Sequence, residues 1–92
     1  MSKIDIKHPH NMPLDTLKEN IQTLANSLSE RYGASVKWQT EQTLEVKAPA
    51  ITGSLSYDDS TLNIQVSFGF MSKFLMPKIK AEITDYLRKN IS

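Results

Sequence analysis

The side chains best suited to chemistry in this 92-residue sequence are few and poorly placed for it. The two imidazoles, His8 and His10, form a His-x-His pair, and such a pair in a strand puts both rings on one face as a metal half-site. Pro9 stands between them, however, and no carboxylate nearby has ligand spacing. A pair of turn histidines bonded to local backbone is therefore the expectation. Asp58-Asp59 are neighbours in a turn, where adjacent side chains point apart, so they do not make the converging pair that general acid–base work requires. Ser, His and Asp all occur without a Gly-x-Ser-x-Gly elbow. Gly33, Gly53 and Gly69 are too scattered for a phosphate-binding loop. Cysteine is absent, which removes disulfides, Cys-ligated zinc and thiol nucleophiles. The expectation is a non-enzymatic protein with no catalytic residue, no metal and no cofactor.

Binding remains, and one segment points to it. Phe68-Gly69-Phe70-Met71-Ser72-Lys73-Phe74-Leu75-Met76-Pro77 carries more apolar bulk than a strand-to-helix connection needs. Phe68 and Phe70 continue an alternating inward set, and Met71, Phe74 and Leu75 share one face of a short helical turn. Two placements stay open: these side chains plug the open end of the fold, or they form an exposed patch for a partner or hydrophobic surface. In the second case Phe70, Met71, Phe74, Leu75 and Met76 are the docking residues and Lys73, Lys78 and Lys80 the basic rim, their stems lying along the apolar surface. Trp38 reads as a core-edge aromatic or, with Phe68, as the lining of an apolar cleft between sheet and helices. A cleft of that kind suits a carrier of a small lipid or acyl ligand.

The charge distribution agrees with such a surface. Eleven Lys and Arg against ten Asp and Glu give a net charge of +1, which provides no general attraction for nucleic acid. Residues 1–40 sum to +1, residues 41–60 to −3 and residues 61–92 to +3, and no charged side chain lies between Asp59 and Lys73. The basic excess thus follows directly on the most apolar stretch. No apolar run is long enough to span a membrane, and Met1–Asn11 lacks the apolar core of a secretory signal.

The elements follow from periodicity. Lys3–Lys7 alternates as a strand with Ile4 and Ile6 inward, ended by His8-Pro9. Asn11 is the expected N-cap of a helix with Pro13 in its first turn. That helix carries the stripe Leu14, Leu17, Ile21, Leu24, Leu28 and Tyr32, and Gly33 closes it. Val36 and Trp38 begin a second strand, and Leu44, Val46 and Ala48 form a third that Pro49 breaks. Ile51, Gly53, Leu55 and Tyr57 form a fourth, with Gly53 marking a bulge or close contact. After a turn at Asp58-Asp59-Ser60, a fifth runs from Leu62 through Phe70. Pro77 opens a second helix with the stripe Ile79, Ile83, Tyr86 or Leu87, and Ile91. The prediction is one α+β domain over residues 1–92. In it, two helices cover one face of an antiparallel sheet, a four-strand meander plus the N-terminal strand, in the order β-α-β-β-β-β-α.

Taken together, these landmarks resemble the polyhydroxyalkanoic acid system family, small bacterial proteins tied to polyester storage granules by gene neighbourhood. The residues that carry the resemblance are the Ile4-x-Ile6 start into Pro9-His10, the leucine-stripe helix ending in Tyr32-Gly33, and the aromatic at Trp38. The Gly53 strand and the Gly69-Phe70 exit into Pro77 complete it, so that it covers the whole chain. The resemblance implies a cytoplasmic bacterial protein associated by gene neighbourhood with polyhydroxyalkanoate metabolism. Joined to the apolar 68–80 segment, it gives the expectation of an accessory protein whose partner is the granule surface or a granule protein. It assigns no catalytic residue. Self-association through the same apolar patch, as a homodimer, is the remaining partner reading.

Overall fold

The computed structural model describes residues 2–91. Its elements are β1 (Ser2–Pro9), α1 (Leu14–Tyr32), β2 (Ser35–Thr40), β3 (Thr43–Ala48), β4 (Ile51–Tyr57), β5 (Thr61–Phe68), a 3₁₀ turn at Lys73–Leu75, and α2 (Met76–Asn90). The strands form one five-stranded antiparallel sheet in the order β1-β5-β4-β3-β2. The fold is α+β with the expected element order.

The strand register explains how one face becomes the core. Ile4, Val66, Gly53, Val46 and Val36 lie in one cross-strand row, and Ile6, Ile64, Leu55, Leu44 and Trp38 in the next. Rows between them point the other way, for example Asp5, Gln65, Ser54, Glu45 and Lys37. Because side chains alternate along a strand, a single register gives an apolar face and a polar one. The helices cover the apolar face. α1 buries Leu17, Ile21, Leu24, Ala25 and Leu28, and α2 buries Ile79, Ile83 and Leu87. Each of these leucines and isoleucines contributes about 1.5–3 kcal/mol by leaving water.

β1 and β2 are the two edges of the sheet, so α1 must carry the chain across it. At 1.5 Å per residue its 19 residues span about 28 Å, enough to cross five strands about 4.8 Å apart. The helices are joined at their exposed seam. Arg31 and Tyr32 of α1 both donate to Glu82 of α2, at 2.7 and 3.3 Å, and the Tyr86 hydroxyl donates to the Asn20 backbone carbonyl at 3.1 Å.

Several local expectations change. Asn11 does not cap α1; the helix starts at Leu14 behind Pro13, with no side-chain cap. The His10 N–H donates to the Ser60 carbonyl at 3.0 Å, which prolongs strand-like pairing beyond Pro9 and delays the first helical turn. β1 likewise runs on through His8 to Pro9, because an edge strand does not need the N–H that proline lacks. Gly53 makes no bulge: its pairing with Val46 and Val66 is continuous, and the irregularity in the sheet falls between Trp38 and Thr40. Gly33 does close α1, in the left-handed conformation at φ 67°.

Candidate functional site

β5 ends at Phe68, paired with Ile51 on one side and Ser2 on the other. On the β4 side the ladder ends there, because β4 begins at Ile51 after the two-residue turn Pro49-Ala50. The alternation that would have pointed Phe70 inward therefore stops. Gly69 N–H donates instead to the Ala50 carbonyl at 2.7 Å, and Ser72 N–H closes a turn onto the Gly69 carbonyl at 3.1 Å. A second tight turn follows, Leu75 N–H to the Ser72 carbonyl at 2.9 Å, and leads into α2.

This geometry sorts the expected docking residues into two groups. Phe70 and Met71 occupy the corner of the first turn and are 82 % and 76 % exposed, and Phe74 is 73 % exposed. Leu75 and Met76 are half-buried and pack against the core. The segment thus anchors itself with two apolar side chains and presents three. Lys73 lies over the Phe70 ring, its Nζ 4.9 Å from the centroid, and Lys78 and Lys80 are exposed on the first turns of α2. None of the three lysines forms an ion pair among the described residues.

The anchor beneath the patch is polar. Ser72 is 6 % exposed, and its Oγ–H donates to the Ala50 carbonyl at 2.6 Å, the same oxygen that Gly69 uses. Ala50 holds the turn at φ 62°, a left-handed conformation that costs a non-glycine residue about 1–2 kcal/mol. Gly69 sits in close approach: a Cβ there would lie 3.2 Å from the Ala50 Cβ and 3.3 Å from its carbonyl oxygen, tighter than ordinary contact. The sequence reading missed Ala50 and Ser72. The only signal was Pro49 just ahead of a small residue, and nothing in it named a partner twenty residues on.

The other singled-out residues lie elsewhere. Phe68 is core, and Trp38 rests half-buried against α1, where its Nε1–H donates to Gln22 Oε1 at 2.6 Å under Lys18 Nζ, 4.8 Å from the ring centroid. An apolar cleft of about 30 Å³ does open between sheet and helices, but Trp38 and Phe68 stand outside it. Leu28 and Tyr32 of α1, Val46 and Gly53 of the sheet, and Ile79 and Ile83 of α2 line it. The hollow lies where Gly53 offers no side chain to an otherwise apolar row.

Both histidines bond backbone. His8 Nε2 donates to the Ile91 carbonyl at 3.1 Å. His10 Nε2 donates to the Asp58 carbonyl at 2.7 Å while its Nδ1 accepts the Met12 N–H at 3.2 Å, which sets the ring as the Nε2–H tautomer. Asp58 turns its carboxylate into its own loop, where the N–H groups of Ser60 and Thr61 hold it below the usual carboxylate range. Among the described residues no three His, Asp or Glu side chains gather as a metal site, and no helix is long and apolar enough to cross a membrane.

No curated protein matches the sequence. The profile of the family described as "putative polyhydroxyalkanoic acid system protein" matches residues 4–91, from the buried Ile4 of β1 to the buried Ile91 that follows α2. The chain belongs to that family.

Proposed function

We propose that the protein is a non-enzymatic accessory of the polyhydroxyalkanoate system that docks on the polyester granule surface through Phe70, Met71 and Phe74. The observation that carries this reading is the exposure of three large apolar side chains on one short, well-anchored segment. Folding gains nothing by leaving them in water, and a contiguous apolar patch on a small protein marks a contact surface. Membership of a polyhydroxyalkanoic acid system family supports a hydrophobic polyester surface as the occupant. Leu75 and Met76 tie the patch to the core, and Lys73, Lys78 and Lys80 keep its rim hydrated and positive. A carrier that encloses a whole lipid or acyl ligand is less well supported, because the cleft at Gly53 is about 30 Å³ where ligand pockets run to about 300–1,000 Å³.

The test is co-sedimentation with polyester particles. Replacing Phe70 and Phe74 by Ser should lower binding at least about tenfold, since each ring removed from a hydrophobic contact is worth about 1.5–3 kcal/mol. The melting temperature should hold, because neither ring is part of the core. Undiminished binding by the double variant removes these residues from the contact. A sedimentation coefficient that rises with concentration, and falls back in the same variant, would assign the patch to a homodimer instead.

A further inference from the structure

The cleft at Gly53 is too small for a carrier, yet its chemistry is selective. Its walls come from Leu28, Tyr32, Gly53, Ile64, Ile79 and Ile83, so an apolar group entering it leaves water without breaking a hydrogen bond. About 30 Å³ is room for roughly two water-sized volumes, which in an apolar cavity stay empty and suit the tip of an alkyl chain. The start of the lining helix is basic. Ile79 is flanked on α2 by Lys78 and Lys80, each about 100° round the helix from it, and the first turn of α2 holds no acidic residue. Glu82, the carboxylate next along this helix, is already engaged by Arg31 and Tyr32. Neither lysine has an ion-pair partner among the described residues.

We propose that this cleft takes the end of the alkyl chain of an anionic amphiphile, a fatty carboxylate, whose head group stays in water beside the basic start of α2, where Lys78 or Lys80 meets it. The cleft shares no apolar residue with the docking patch, although Lys78 and Lys80 border both, and it does not rest on that reading. It receives a chain end rather than enclosing a ligand, and the missing side chain at Gly53 makes the room.

The experiment is a titration of the full chain with butanoate, hexanoate and octanoate, followed by backbone amide chemical shifts, with 1-octanol as the neutral comparison. Octanoate should shift the amides of Leu28, Gly53, Ile79 and Ile83 saturably, and each added methylene should tighten binding about fourfold until the tip reaches the floor. Gly53→Val should abolish binding of both octanoate and octanol. A Cβ at this position meets Gln65, Val66 and Val46 at 3.6–3.7 Å, which is ordinary contact. Gly53→Ala, a smaller filling, should weaken binding and serves if the valine variant is poorly folded. Lys78→Gln with Lys80→Gln should weaken octanoate several-fold and leave octanol unchanged. No saturable shift below the micelle concentration overturns the proposal, as does equal affinity in the Gly53 variants. Undiminished octanoate binding in the lysine variant overturns the anionic head group. Phe70→Ser with Phe74→Ser should leave octanoate binding intact, so a failure here and a failure of granule docking read out separately.

Discussion

The Ala50 carbonyl accepts two hydrogen bonds from one short segment, from Gly69 N–H at 2.7 Å and from Ser72 Oγ at 2.6 Å. Ser72 is buried within the segment that exposes Phe70, Met71 and Phe74, so a polar clamp ties this segment to the β3–β4 turn. The segment is tied down at both ends, by hydrogen bonds to Ala50 and by Leu75 and Met76 packed on the core.

Ser72→Ala should cost about 1 kcal/mol, the usual net worth of one hydrogen bond, since Gly69 still satisfies the Ala50 carbonyl. Chemical denaturation gives that number. Amide exchange should speed up at Gly69 and Leu75 while the central strands stay protected, and uniform acceleration would show that the clamp is not local.

Gly69→Ala should be destabilising by about 1–3 kcal/mol through crowding against Ala50. Ala50→Gly alone should be neutral to stabilising by about 1 kcal/mol: it relieves a left-handed alanine, about 1–2 kcal/mol, against about 0.4–1 kcal/mol for the greater freedom of glycine in the unfolded chain. In the double variant Gly69→Ala should cost at least about 0.5 kcal/mol less than it does alone, because the Cβ it meets at 3.2 Å has gone. Strict additivity would mean that the two positions do not press on each other.

Gly53→Ala should raise stability by about 0.5–1 kcal/mol. Alanine suits a strand interior better than glycine, and its methyl group enters the apolar hollow at ordinary contact distance. A lower melting temperature would mean that the row around Gly53 has no room to spare.

His10→Ala should cost about 1–3 kcal/mol, because Met12 N–H and the Asp58 carbonyl both lose a partner at a buried position. The loss should appear with reduced protection of Met12 from exchange. A neutral substitution would show that water replaces the ring at both bonds.

Asp58 tests the adjoining loop by pH. The N–H groups of Ser60 and Thr61, at 2.9 and 2.7 Å, lower its pKa below the ordinary 3.8. A carboxylate with a depressed folded pKa stabilises the fold above its unfolded pKa, and that stability is lost as pH falls through the folded value. Asn keeps an acceptor oxygen and removes only the charge. The melting-temperature gap between wild type and Asp58→Asn should therefore be constant near neutral pH and close in acid below about pH 3.8. A gap that persists there would assign the effect to geometry rather than charge.

The sequence alone determined the elements and the face each would bury. Leu17, Ile21, Leu24 and Leu28 recur at helical spacing, and Leu62, Ile64, Val66 and Phe68 alternate, so local periodicity named the core before any contact was known. Gly33 and Pro77 marked helix ends because their backbone restrictions act within a few residues. The side of the surface on which residues 70–76 would fall was not legible. Phe70 continues the apolar alternation of β5, and only the position of the β3–β4 turn, which ends the strand's pairing at Ile51 and offers the Ala50 carbonyl, turns it outward. The hollow at Gly53 is of the same kind, since a glycine in a strand becomes a cleft only when Val46, Val66 and two helices stand round it. Periodicity is a property of neighbours in the chain, whereas the patch and the cleft depend on which distant strand ends beside which turn.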